Sequence, residues 1–139
     1  MTTKQDISSF SLRIALSAGF LSAVASRLSL WGSHSSGWQN FVNYTAQTNS
    51  FLPKSCAPLL AVLSTLAELS LGLLLLIGYR TSIVALCAAI LTLLFSIAMA
   101  ISFGIKEPLD YSAFAFSAGA FLLSSVPAGK WSIDQFLNK

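Results

Sequence analysis

From Ser82 to Ile105 the chain carries no acidic or basic side chain, and from Leu59 to Gly78 it carries one, Glu68. As a helix rising ~1.5 Å per residue, either run is long enough to cross the ~30 Å hydrocarbon core of a bilayer. Two such runs side by side decide the solvent. In water they would have to be wrapped by the rest of a 139-residue chain that has only 8 basic and 5 acidic side chains for its surface. Charged residues make up 9% of the chain, against about 25% in ordinary soluble domains. A soluble globular domain and a disordered chain are both excluded. The net charge of +3 does not point to nucleic acid, since no basic stretch is interleaved with aromatics.

Two further segments complete the predicted set. Tyr111 to Val126 ends at Pro127 and lengthens if it starts near Pro108, because proline is tolerated in a first helical turn. Phe10 to Trp31 has Arg13 and Arg27 near its two ends, where both are expected to snorkel toward headgroups. The expected fold is all-α, an integral membrane four-helix bundle forming a single transmembrane domain over residues 1–139. Its helices span about 10–31, 57–78, 82–104 and 109–126, with an extracytoplasmic loop at 32–55 and an amphipathic tail at 128–139. Ala23-Val24-Ala25 resembles a signal-peptide cleavage site, but Asp6 beside Lys4 and the diluting Ser17 and Gly19 favour a retained span. Lys4, Arg13, Arg80, Lys130 and Lys139 fall on one side of such a bundle and Arg27, Lys54 and Lys106 on the other. The bias predicts cytoplasmic termini. Trp31, Trp38, Tyr44, Tyr79 and Trp131 suit interfacial belts.

The loop is too long to be a simple connection. Phe41, Tyr44 and Thr48 recur at helical spacing, which predicts a short amphipathic segment lying on the bundle. Its aromatic face, Trp38, Phe41 and Tyr44, is the candidate surface for docking a periplasmic protein.

Few residues can carry chemistry. Cys56 and Cys87 lie roughly 20 Å apart in depth along their helices, beyond the ~7 Å Cα separation that a disulfide spans. With one histidine, His34, no metal site is expected. Glu68 near the middle of its span is the informative residue: an unpaired carboxylate there costs ~3 kcal/mol or more, so it must face the interior and be protonated or paired. Arg13 and Arg27 are similarly distant from the midplane, and the spacing does not choose between them. A functional Glu68 would be a proton donor or a polar contact in a ligand pocket. Arg27, Lys106, Glu107, Asp110 and Tyr111 form a second polar group, in which Asp110 either caps the fourth helix or pairs with Arg27. Small residues at Ala15, Ser22 and Ser26 and at Ala113, Ser117 and Ala120 suit close packing between the first and fourth helices.

The stretch Leu21-Ser22-Ala23-Val24-Ala25-Ser26-Arg27-Leu28-Ser29-Leu30-Trp31-Gly32 and the Glu68-x-x-x-Gly72-x-x-Leu75-Leu76-x-Gly78 pattern resemble the DoxX family of small bacterial membrane proteins. The Gly104-Ile105-Lys106-x-Pro108-Leu109-Asp110-Tyr111-Ser112 turn extends the likeness to nearly the whole chain. The resemblance, which includes similarity to the DoxD subunit of thiosulfate:quinone oxidoreductase, implies a multi-pass protein of the bacterial inner membrane linked to redox chemistry. It places Glu68 and Arg27 at the polar centre, with Lys106 and Asp110 above. Three functions stay open: a redox-associated subunit binding a quinone or similar amphipathic molecule near Glu68; a non-catalytic scaffold for a periplasmic or membrane redox partner; and a small-solute permease, which would need a homo-oligomer.

Overall fold

A computed structural model describes residues 2–138, and Lys139, counted above for orientation, lies outside them. The described residues form seven α-helices and no strand. α1 (Thr3–Arg27) begins a turn or two before the apolar run because Thr2 and Gln5 form a capping box: Thr2 Oγ1 accepts from Gln5 N–H, and Gln5 Oε1 from Thr2 N–H. It stops at Arg27 rather than Trp31, since Ser29 turns left-handed. α2 (Trp38–Thr48) is the amphipathic segment expected inside the loop. α3 (Ala57–Ile77) and α4 (Thr81–Phe103) match their predicted bounds to within a residue.

The predicted fourth helix, 109–126, is not continuous. Pro108 does sit in a first turn, but of the short α5 (Lys106–Asp110); Tyr111 closes that turn, and Ser112 at φ +54° redirects the chain before α6 (Ala113–Ser125). At ~1.5 Å per residue α6 is about 20 Å long, short of a full crossing. Among the described residues, three helical stretches are long and apolar enough to span a bilayer: Thr3–Arg27, Lys54–Ile77 and Thr81–Phe103. This is a multi-pass membrane protein. Leu59, Leu63, Leu66 and Leu73 on α3 and Ile83, Ile90, Leu94 and Ile101 on α4 are all exposed, the apolar exterior that lipid favours.

The broadest interfaces join α4 to α6 and α1 to α3. Leu16 and Phe20 of α1, Leu75 of α3, Val84, Ala85, Ala88 and Ala89 of α4, and Ala120 and Leu123 of α6 share one core. The alanines let α6 approach α4 closely, as small residues do between helices in lipid. Hydroxyls tie the same seams: Ser117 Oγ donates to Ala89 O at 2.8 Å, and Ser17 Oγ to Gly72 O at 2.8 Å. Ser117, expected to serve packing against the first helix, is thus committed to α4.

Neither arginine of α1 snorkels; both are buried. Each finds inside the protein a partner that lipid headgroups would otherwise supply. Arg13 Nη2 donates to Trp131 O at 2.5 Å, and its guanidinium lies 5.4 Å from the Phe10 ring. The tail, expected to be amphipathic over 128–139, is helical only in α7 (Ile133–Leu137) and folds back onto the helix ends. Asp6, buried beneath it, pairs with Lys130 at 3.7 Å. Asp134 accepts from Arg80 N–H at 2.5 Å and Thr81 N–H at 2.7 Å, capping α4 from 53 residues away. Gly78 makes the fit possible: it ends α3 at φ +72°, and a Cβ there would lie 2.9 Å from Ser132 Cα.

Asp134→Ala should cost about 1–2 kcal/mol by orphaning these two amides. The check is thermal unfolding in detergent, where a drop of roughly 4 °C or more is expected and Asp134→Asn should lose less.

Candidate functional site

Of the two arginines within reach of the midplane carboxylate, the structure selects Arg27. As the last residue of α1 it projects toward α3, where Thr65 and Glu68 stand one turn apart. Arg27 Nη1 donates to Glu68 Oε2 and, at 3.1 Å, to Thr65 Oγ1. Both ends are sequestered, with side chains 8% and 14% exposed. Such a pair contributes little over two apolar residues, yet losing one partner strands a charge in a medium that cannot solvate it.

A third helix closes the site. The register of α2 buries Phe41, Thr45 and Thr48 against the bundle, and Phe41 lays its ring 3.7 Å from the Arg27 guanidinium carbon, a cation–π contact in a desolvated setting. Tyr44, one turn along, stacks on Phe103 of α4 with ring centroids 5.8 Å apart and an interplanar angle of 18°. Burial pushes the Tyr44 phenol above its usual pKa, so its hydroxyl stays neutral through the physiological range. Trp38 tilts against Phe41 at 6.0 Å. These loop aromatics therefore do not form one outward docking face: Phe41 is buried, and Tyr44 is turned onto α4. An amphipathic helix with an apolar bundle beside it covers that bundle first.

Beside the ion pair lies a cavity of about 570 Å³, walled by Arg27, Phe41, Tyr44, Phe95, Met99 and Tyr111 with small residues from α1 and α6. Its volume falls within the ~300–1,000 Å³ typical of small-molecule sites, and its apolar walls with a few convergent polar groups match their usual chemistry. Arg27 Nη1 is committed to α3, while Nε and Nη2 make no hydrogen bond to the described residues. Donors are thus left over for a ligand.

The predicted site residues separate into three groups. Arg27 and Tyr111 line the cavity, joined by Phe41 and Tyr44 from the loop. Glu68 is not in the wall; it stands behind Arg27 and holds it. Lys106 and Asp110 pair with each other across one helical turn, largely exposed to solvent, an arrangement worth little. Asp110 neither reaches Arg27 nor caps α6, whose N-cap is Ser112 without a side-chain bond. Sequence reasoning missed Phe95 and Met99. Their i, i+4 spacing puts them on one face of α4, but in a span apolar on every side nothing distinguishes a cavity face from a lipid face. Cys56 and Cys87 are separate free thiols, and His34 sits in an exposed turn.

Fold and site together define a class: a multi-pass helical membrane protein with a buried Arg–Glu pair at the foot of an aromatic cavity. A family model, DoxX, matches residues 9–106, and the chain belongs to the DoxX family. The match takes in Arg27, α2, Glu68, Phe95 and Met99; Tyr111 and α6 lie beyond it. No curated protein and no solved structure matches the chain.

Glu68→Ala should destabilise the protein by about 3–5 kcal/mol by stranding Arg27, whereas the double variant Arg27→Met/Glu68→Met should cost much less. Reversible unfolding in mixed micelles measures both.

Proposed function

We propose that this DoxX protein is a redox-associated membrane subunit that binds a quinone, or a similar neutral amphipathic ring, in the cavity beside Arg27. The observation that supports this reading most is the charge arithmetic of the site. Glu68 already balances Arg27, so the cavity holds strong hydrogen-bond donors without an unmet positive charge. A neutral ligand with carbonyl oxygens suits that better than an anion would. Phe41, Phe95 and the two tyrosines offer ring faces, and apolar residues such as Met99 can take an alkyl or isoprenoid chain. Arg27 would donate to one ligand oxygen, with the Tyr44 or Tyr111 hydroxyl serving another. Glu68, expected from sequence as a proton donor, has in this reading the task of holding the guanidinium toward the ligand.

The setting we propose is a four-helix bundle in the bacterial inner membrane, with α5 and α6 completing the set and both termini cytoplasmic. A redox partner protein would then meet the face that carries α2 and α5. The scaffold reading needed the loop aromatics to face outward, and α2 spends them on the bundle instead.

The test is binding of a decyl-tailed benzoquinone to purified protein, followed by tryptophan quenching and by native mass spectrometry of co-purifying molecules. Wild type should bind. Arg27→Met, in the Glu68→Met background that removes the stranded carboxylate, should weaken binding by roughly tenfold or more, equivalent to about 1.4 kcal/mol. Tyr44→Phe should weaken it a few-fold, the value of about one neutral hydrogen bond. Absence of binding by wild type, or equal binding by all variants, would remove the quinone reading.

A further inference from the structure

The break between α5 and α6 has a counterpart across the cavity. α1 and α6 run antiparallel and meet in successive rungs. A Cβ on Gly119 would lie 3.4 Å from Leu12, and one on Gly19 would lie 2.8 Å from the Phe116 ring, so at both levels the helices interlock a glycine with a large side chain. One turn further toward the α2 end the rung would fall to Ala23 and Ala113. Both are small, both are partly exposed, and both line the cavity. Here α1 and α6 present two small residues to each other, because α6 has just begun: Ser112 at φ +54° redirects the chain between the preceding turn and α6. Tyr111, on that turn, also lines the cavity and is 67% exposed. Of the lining residues Met99 is 2% exposed and Arg27 7% exposed, and they form a buried floor. The rim is partly open at Ala23, Ala113 and Tyr111, and on the α2 side it also carries the exposed Ser36 and Asn40.

We infer that this gap is a lateral portal through which the ligand passes from the lipid phase into the cavity, with Ala23 and Ala113 as its jambs and Tyr111 as its sill. The inference deepens the ligand-binding reading above and rests on it for the ligand's identity, though not for the passage itself. It commits to the source: the molecule arrives dissolved in the hydrocarbon layer, between the flanks of α1 and α6. Side chains on those two helices therefore control the rate of access. The interrupted helix is what makes the opening, since a continuous helix over 109–126 would carry side chains across the α1 flank at that level.

The portal can be read without any quinone. In the full-length protein with Cys56→Ala and Cys87→Ala, Met99→Cys places a single thiol at the cavity floor. Reconstituted in lipid nanodiscs, it is treated with a bilayer-partitioning pyrenyl maleimide or with a sulfonated, water-soluble maleimide. The partitioning reagent should label the thiol roughly tenfold faster or more, and adding Ala113→Phe or Ala23→Phe should slow it by about the same factor, as expected when access is limited by a constriction. Ala113→Ser, which adds one atom, should leave the rate nearly unchanged and shows that the effect follows bulk. Labelling that is indifferent to both phenylalanines, or faster with the sulfonated reagent, would overturn the portal. Portal-dependent labelling in a protein that binds no quinone would uphold the passage and remove the quinone reading alone.

Discussion

The contact between Arg27 and Glu68 organises the part of this protein that is not simply apolar packing. A carboxylate in the middle of a span is costly alone, and a guanidinium turned inward from the end of another has given up the headgroups it could have reached. Together they oblige α1 and α3 to adopt one register, and the same pairing sets where α2 must come down. Phe41 covers the guanidinium because a ring face is one of the few apolar surfaces that a cation prefers to lipid. Once α2 lies there, its other residues and the side chains of α4 bound a cavity. Glu68 to Arg27, Arg27 to Phe41, and Phe41 to the cavity wall form a single dependency.

Much of this was legible in the residues. The apolar runs and the rarity of charge required membrane helices, and α3 and α4 appear where their runs begin and end. Glu68 stood out because charge in lipid demands a partner. The choice between Arg13 and Arg27 was not legible, since the predicted span 10–31 puts both at a similar distance from its midplane, and only three-dimensional placement gives one to α3 and the other to the tail. The break at Ser112 was missed for a related reason. Nothing in Tyr111-Ser112-Ala113 announces a left-handed residue, and an apolar run reads as continuous whether or not the backbone is. Phe95 and Met99 were hidden by a general property of lipid-facing helices, whose inward and outward residues have the same chemistry.

The two ends of the bundle handle their buried charges differently. At the α2 end, Arg27 is neutralised by a carboxylate and left beside a space. At the opposite end, Arg13 meets a backbone carbonyl, Asp6 meets Lys130 and Asp134 meets amides, all of them contacts to the folded-back tail. One end has donors to spare beside a cavity, and the other spends its polar groups on tying down the chain. That asymmetry separates the part of the molecule suited to a ligand from the part that holds it closed.

The cap on α4 also sets an order of assembly. The amides of Arg80 and Thr81 head a helix with no local side-chain cap, and the carboxylate that satisfies them lies more than 50 residues further along the chain. While the polypeptide is being made, the hairpin of α3 and α4 enters the bilayer with that end unfinished, its amides turned to water at the interface. Only when Asp134 has left the ribosome can it reach back over Gly78 and finish the joint, bringing Trp131 onto Arg13 in the same movement. The closing of this end thus waits on a segment made more than 50 residues after the amides that it satisfies.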